Sequence, residues 1–107
     1  MPIVTSTVFR PEEGRRADLV DLLFELRRQI RGEAGNLEYS IHRALDAGDP
    51  GILVIQAFES EDAFAAHAAK MAEIGAPGRL ADLIAGPLDR PKLFESMDDS
   101  TFTLGGR

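Results

Sequence analysis

The stretch ILVIQAF, residues 52–58, is the strongest constraint on how this chain folds. Its composition predicts a β-strand, yet apolar residues occupy both of its faces and Gln56 alone is polar. A strand of this kind is covered on both sides. Because 107 residues make one small domain, we expect helices to cover one face and a second copy of the chain to cover the other.

The segments before this strand predict a strand, a helix and another strand. IVTSTVF, residues 3–9, is rich in β-branched residues, and NLEYSIHRAL begins a second strand at Asn36. DAGDPG then predicts a hairpin loop. Between the two strands, residues 15–30 carry an apolar stripe with helical spacing, made of Leu19, Val20, Leu23, Phe24, Leu26 and Ile30.

The segments after it predict two short helices and a last strand. Ser60 is a good N-cap, and it precedes a helical pattern that extends to about Ala72. The breaker GAPG is expected to separate this helix from a shorter one over residues 79–85. LDRPKLFESM predicts a final strand, which Pro91 places at a sheet edge or at a bulge because proline has no N–H group to donate.

The resulting order is β-α-β-β-α-β, which is the ferredoxin-like α+β arrangement of a four-stranded antiparallel sheet with helices on one face. We expect residues 1–97 to form a single domain and residues 98–107 to form a C-terminal tail. Strict alternation along NLEYSIHRAL predicts that Leu37, Tyr39 and Ile41 face one way. Asn36 and His42 would face the other way, toward a partner chain.

Composition excludes several classes of function. A net charge of −6 without a basic cluster argues against binding to nucleic acid. The absence of cysteine excludes disulfides and thiol chemistry and fits a reducing, cytoplasmic location. The two histidines are too far apart in sequence to suggest a zinc or iron site, and no nucleotide-binding motif is present. No apolar run is long enough to cross a membrane, so we expect no membrane partner.

The segment GNLEYSIHRA followed by ILVIQAFESEDAFAAHAAK resembles the antibiotic biosynthesis monooxygenase (ABM) family of dimeric α+β barrels. The resemblance covers about residues 3–95. Family members open the second strand with Gly-x-Leu-x-Tyr, and after the next strand they have an acid, a helix opening Ser-x-x-Ala, and a His about two turns in. The matching residues are Gly35, Leu37, Tyr39, Glu59, Ser60, Ala63 and His67.

This resemblance implies more about the fold than about the reaction. The family includes cofactor-free oxygenases of phenols and quinols, an isomerase of a small signalling molecule, and members with no known activity. Two positions depart from the family pattern: Gln56 stands where many members have Glu, and Phe58 stands where many have Trp. Relatives that degrade haem use a Trp near the position of His67, so the absence of Trp argues against that activity here.

His67 and Tyr39 are the candidate catalytic residues. His67 lies beside the apolar stripe of its helix, and its imidazole could act as a general base near neutral pH. The alternative is a structural His that is bonded to a backbone carbonyl or to an acid of the partner. Tyr39 would orient a substrate oxygen, or else be a core residue with a satisfied hydroxyl. The candidate substrate-binding residues are Asn36, Phe58, Phe64, Met71 and Ile84.

The sequence therefore predicts a cofactor-independent monooxygenase that acts on a small aromatic substrate, a phenol or quinol, in an apolar pocket. No cofactor and no metal are expected, because the substrate itself would donate electrons to oxygen. Two alternatives stay open: a non-enzymatic dimer that binds a small apolar ligand, and an isomerase that uses the same base.

Overall fold

The computed structural model describes residues 2–97, and within them the chain forms four strands and three helices. Their order confirms the predicted arrangement, with the second helical segment divided in two. The elements are β1 (Ile3–Phe9), α1 (Arg16–Ile30), β2 (Asn36–Arg43), β3 (Ile52–Phe58), α2 (Glu61–Glu73), α3 (Ala76–Ala81) and β4 (Lys92–Glu95). The predicted tail, residues 98–107, lies outside the described residues.

The strands form one antiparallel sheet in the order β2-β3-β1-β4, as the ferredoxin-like α+β fold requires. ILVIQAF is the interior strand β3, paired along its whole length with β1 and with β2. The four-residue β4 begins directly after Pro91 and lies at the edge beside β1. The prediction of an edge strand at this proline is therefore confirmed.

Helix α1 supplies most of the helical side of the core. Phe24, which the stripe included, is 39% exposed, so that part of the prediction is wrong. Successive residues of a helix are turned by about 100°, and Phe24 therefore points well away from its neighbour Leu23. Leu22 takes its place in the core. The buried residues of α1 are Leu19, Leu22, Leu23, Leu26 and Ile30.

The two faces of β3 have different surroundings. Ile52, Val54 and Phe58 are buried beneath the helices, whereas Leu53 and Ile55 lie on the opposite face and are only half-buried. Within residues 2–97, no helix packs on that second face. We call it the open face; its apolar members, by strand register, are Val4, Val8, Leu53, Ile55, Ala57 and Phe94.

A β-bulge at the start of β2 alters the predicted alternation. The register shifts between Asn36 and Glu38, so that Asn36 pairs with Phe58 while Tyr39 pairs with Gln56. Asn36 therefore lies on the helix-covered face, not on the face predicted for it, and Leu37 is 55% exposed. The extra residue of a bulge moves every earlier side chain of its strand to the other face. His42 lies beyond the bulge and keeps its predicted place on the open face.

The second helical segment begins as predicted but divides differently. The Ser60 hydroxyl accepts a hydrogen bond from the Ala63 N–H at 3.1 Å, as an N-cap does. GAPG does not separate two helices as a loop, because α3 already begins at Ala76. Gly75, in the left-handed region at φ +74°, makes the break, and Pro77 fits the first helical turn because its missing N–H is not needed there.

No helix within residues 2–97 has both the length and the apolar character needed to cross a membrane.

Candidate active site

A partly open cavity of about 100 Å³ lies between the helices and the covered face of the sheet. Three of its lining residues are polar: Tyr39, Gln56 and His67. Apolar side chains from the sheet, α1 and the α2–α3 region supply the rest of its wall. These apolar residues are Phe9, Leu23, Leu26, Ile30, Val54, Met71, Ala76, Pro77, Leu80 and Leu88.

His67 is the single fully buried residue of α2, residues 61–73, and is 7% exposed. Its Nδ1 lies 3.0 Å from Oε1 of Glu33, whose side chain is also mostly buried. Because an ionised carboxylate only accepts hydrogen bonds, Nδ1–H is the donor in this pair. The second ring nitrogen, Nε2, is then left to accept a proton from a molecule in the cavity.

A close approach of the α1–β2 loop to α2 brings Glu33 to His67. Gly35 has φ +84°, and the Glu59 N–H donates to its carbonyl oxygen at 2.8 Å. A Cβ on Gly35 would lie 2.7 Å from the Cβ of Ala63, one helical turn before His67. Glycine therefore lets the loop touch the helix here, and this contact places Glu33 beside His67.

Glu33 was not predicted from the sequence. It stands in an ordinary loop, RGEAG, and is 34 residues away from His67. Its second oxygen, Oε2, is buried without a hydrogen bond within the described chain, and the nearest cation, Lys70 Nζ, lies 4.0 Å away. Only the tertiary contact at Gly35 identifies this carboxylate as the partner of the imidazole.

Two aromatic rings pack beside the imidazole. The centroid of the Phe58 ring lies 5.0 Å from that of His67, and the Phe64 ring lies 6.5 Å from it. The two phenyl rings meet edge to face with their centroids 5.5 Å apart. This packing limits the rotation of the His67 ring, so that hydrogen bonding and contact together fix its orientation.

Tyr39 lies in the middle of β2 and is 7% exposed. Burial raises the pKa of its phenol far above the ordinary value of 10.0, and the nearby charge of Arg27 opposes that rise only in part. Tyr39 therefore stays protonated in neutral solution. It serves as a hydrogen-bond donor or acceptor and not as a base.

Gln56 is the third polar residue of the cavity. It pairs with Tyr39 on one side and with Thr5 on the other, so the three side chains form a polar row across the covered face. The Gln56 Oε1 atom is buried and accepts no hydrogen bond from residues 2–97. The hydroxyl oxygen of Thr5 is likewise buried and unpaired there. Buried polar atoms without partners are uncommon in folded proteins.

The cavity brings together some of the predicted site residues and not others. His67, Tyr39 and Met71 line it, whereas Phe58 and Phe64 do not line it and pack beside the imidazole.

Two predicted residues lie away from this cavity. Asn36 lies at the start of β2, where its Nδ2 donates to the carbonyl oxygen of Glu38 at 3.3 Å. Ile84 forms an isolated bridge with Pro11 and borders a neighbouring depression of about 280 Å³. Phe9 and Leu88 line both spaces and separate them.

Within residues 2–97, histidine and carboxylate side chains do not gather into groups of three or more that could hold a metal ion.

Several solved structures share this fold at low sequence identity. Rv0793 from Mycobacterium tuberculosis superimposes with a TM-score of 0.80 at 18% identity, covering 94% of this chain and 99% of that one. A conserved protein from Methanosarcina mazei Go1 gives 0.80 at 10% identity, covering 91% and 94%. SnoaB, a cofactor-independent oxygenase from Streptomyces nogalater, gives 0.75 at 15% identity, covering 91% and 94%. At these low identities the similarity shows the fold alone.

No curated protein sequence matches this chain. The sequence pattern of the antibiotic biosynthesis monooxygenase family, in contrast, matches residues 2–72, from β1 to the last turn of α2. This match spans more than half of the chain and includes Glu33, Tyr39, Gln56 and His67. The chain therefore belongs to the antibiotic biosynthesis monooxygenase family.

Proposed function

We propose that this protein is a cofactor-independent monooxygenase that oxidises a small phenol or quinol in the cavity beside His67. The observation that carries the proposal is the buried Glu33–His67 pair, whose imidazole lines a mostly apolar cavity. A buried carboxylate–imidazole pair is a common arrangement for a general base. The fold of SnoaB, a cofactor-independent oxygenase, supports the same reaction class by analogy.

His67 would take the proton from the aromatic hydroxyl. With Nδ1 held by Glu33, Nε2 is the accepting atom, and the carboxylate stabilises the imidazolium that forms. The resulting phenolate is electron-rich, and it can pass one electron to dioxygen to give a radical pair. Exclusion of water by the apolar wall would keep both species together.

The reaction balances without an added reductant. The radical pair closes a carbon–oxygen bond to give a ring peroxide anion, which takes the proton from the His67 imidazolium and becomes a hydroperoxide. The ring proton then passes to His67 as the oxygen–oxygen bond breaks and hydroxide leaves. One oxygen atom stays on the ring as a new carbonyl, and the other leaves as water. All four electrons come from the substrate, which becomes a quinone, and His67 returns its proton to the departing hydroxide.

Tyr39 would position an oxygen atom of the substrate or of the hydroperoxide. Because burial raises the pKa of its phenol, Tyr39 remains a neutral donor near neutral pH. Met71 would form part of the cavity wall, and Phe58 and Phe64 would pack against the imidazole. Asn36 and Ile84 lie outside this proposed site.

We also propose that the open face is the contact surface of a homodimer. It carries apolar side chains on three strands, β1, β3 and β4, including Val8 and Phe94, which are 47% and 52% exposed in the single chain. Apolar surfaces of this kind are normally covered by a partner in water-soluble proteins. A second copy that presents the same face would bury both sheets in a two-fold assembly.

Oxygen uptake with a panel of phenols and quinols tests the proposed reaction. Uptake in a chelator-treated solution without added flavin, with one quinone formed per oxygen molecule consumed, is the expected result. Binding without oxygen uptake and without product would indicate a ligand-binding dimer instead. A product with the same composition as its substrate would indicate an isomerase.

A further inference from the structure

The side of β1 that faces β4 is interrupted in its middle. Two stretches of chain pair with β1 along this side: β4 pairs with residues 3–6, and the backbone of residues 83–85 bonds to that of residues 10–12. Both stretches run antiparallel to β1. The chain between them, residues 86–91, leaves the sheet edge and then returns to it. A gap therefore remains in the edge of the sheet opposite residues 7–9, and we call it the edge gap.

Val8 lies at the centre of the edge gap and directs its backbone groups into it. Every second residue of an antiparallel strand turns its N–H and C=O toward the same neighbour. On this side of the strand, the Ser96 N–H donates to the Pro2 carbonyl oxygen, and the Ala85 N–H donates to that of Arg10. The even-numbered residues along β1 therefore face this edge. Within residues 2–97, neither backbone group of Val8 forms a hydrogen bond there.

The edge gap opens into the depression of about 280 Å³ that Ile84 borders. The apolar part of its lining includes the buried Phe9 and Ile84 and the half-buried Leu88. Its volume exceeds the roughly 150 Å³ of an engineered cavity that holds benzene. A single ring with a small substituent therefore fits in the depression without a rearrangement of its walls.

The charged lining of this depression is mostly cationic, although the chain carries a net charge of −6. Arg10, Arg90 and Lys92 line it, and Asp89 is the single acid among the lining residues within 2–97. Arg10 already lies 3.6 Å from Asp49. Arg90 and Lys92 form no ion pair with the part of the chain that the structure describes. These two cations and the free N–H of the edge gap are therefore able to bind a negative group.

We infer that the edge gap and its depression form a second binding site, and that its ligand is a small carboxylate with an apolar body. One carboxylate oxygen accepts a hydrogen bond from the Val8 N–H, and Arg90 and Lys92 balance the charge. The apolar body contacts the apolar lining of the depression. The inference does not depend on the proposed function, because this site is separate from the cavity beside His67 and requires no reaction.

Benzoate and nitrobenzene test the inference, because they have nearly the same shape and only benzoate is negatively charged. Each is titrated into isotope-labelled protein, and its dissociation constant is read by NMR from the shift of the Val8 amide. Benzoate is expected to bind about 10-fold more tightly, because charge-assisted hydrogen bonds are stronger than neutral ones. Sodium chloride at about 1 M should reduce this preference, since it screens exposed charges.

Arg90→Gln removes one of the two cations. Arg90 is the first choice because it lies on no strand, whereas Lys92 pairs with Ser6 in the sheet. The variant should bind benzoate about 5-fold more weakly and nitrobenzene as before. Arg43→Gln is the matched control, since the exposed Arg43 lies on β2 at the opposite edge of the sheet. This control should leave both affinities unchanged. Lys92→Gln repeats the test if Arg90→Gln does not fold.

Three results would overturn the inference. The first is that benzoate binds no more tightly than nitrobenzene at the Val8 amide. The second is that benzoate binds and leaves this amide unshifted, which would place the ligand elsewhere, for example in the cavity beside His67. The third is an unchanged affinity for benzoate in the folded Arg90→Gln variant. None of these results bears on the proposed oxidation of phenols, which oxygen uptake tests separately.

Discussion

Burial acts differently on the two residues to which the proposed chemistry assigns a role. His67 is buried beside a carboxylate, so its positive form has a compensating charge at 3.0 Å. Tyr39 is buried among apolar side chains, so its negative form has little compensation and its pKa rises. The two side chains therefore differ in their surroundings: a carboxylate lies beside the imidazole, whereas burial among apolar side chains opposes proton release at the phenol.

The effect of burial on the phenol of Tyr39 can be measured directly, because Tyr39 is the single tyrosine of the sequence. Its pKa is higher in the folded state than the ordinary value of 10.0, so the folded chain binds more protons above about pH 10. The phenol therefore leaves the free energy of unfolding unchanged below about pH 10 and lowers it as the pH rises further. In an alkaline titration, tyrosinate absorbance should appear together with the loss of helical circular dichroism. Tyrosinate formation near pH 10 in a protein that stays folded would contradict the burial of Tyr39.

Contacts between elements decide where the candidate site lies. The Gly35 turn presses the α1–β2 loop against α2, and this contact places Glu33 beside His67. A second pair joins the helices: Arg79 of α3 donates two hydrogen bonds to Glu25 of α1, which lowers the pKa of that carboxyl. The Arg79–Glu25 pair is exposed to solvent and screened by salt, so it contributes little. We therefore expect the Gly35 contact to determine where the site lies.

Gly35→Ala should be markedly destabilising. Its φ of +84° costs about 1–2 kcal/mol for a residue with a Cβ, and the overlap with Ala63 adds roughly 1–3 kcal/mol. Gly14→Ala is the matched control, because Gly14 has φ +81° and nothing within 4 Å of the added atom. Urea unfolding of both variants measures the difference. Equal losses of stability would mean that the loop does not press on α2.

The sequence predicts the elements well because each depends on local patterns. Periodicity, the Ser60 cap and Pro91 are properties of short segments, and β1 and β3 are found at their predicted bounds. The bulge at Leu37 and the Glu33–His67 pair are different, because they arise from how distant segments fit. Neither feature is marked by a spacing along the chain. The sequence therefore offers His67 as a candidate, but it predicts neither the Glu33 partner of that residue nor the face on which Asn36 lies.

At the scale of the molecule, residues 2–97 form a sheet with a covered face that holds the cavity and an open face that carries apolar side chains. In the proposed assembly, the open faces of two copies pack together, and the two cavities lie on the outer sides of the joined sheets. Each copy then holds a complete set of Glu33, Tyr39, Gln56 and His67. The partner would contribute to the stability of the site by supporting the sheet on which it is built.

Light scattering should therefore give a mass of about twice 11.7 kDa at micromolar concentration. Ile55→Glu, which places a charge in the middle of the open face, should give a mass of one chain because a buried unpaired carboxylate opposes association. Leu45→Glu is the control, since Leu45 is fully exposed in the β2–β3 loop and its change should leave the mass unaltered. A wild-type monomer over this range would contradict the proposed interface.

The rate of oxygen uptake by the wild type and by His67→Gln tests whether His67 is the general base of a cofactor-independent oxidation. The protein is treated with a chelator and supplied with the phenol or quinol that gives the fastest uptake, and His42→Gln serves as the matched histidine control. Loss of the general base should lower the rate by roughly 100-fold or more while the fold is kept, because Gln retains hydrogen bonding and helix propensity. The His42 variant should match the wild type. Wild-type uptake no faster than that of the protein-free solution would contradict the proposed function. An unchanged rate in folded His67→Gln would contradict the role of His67 as its general base.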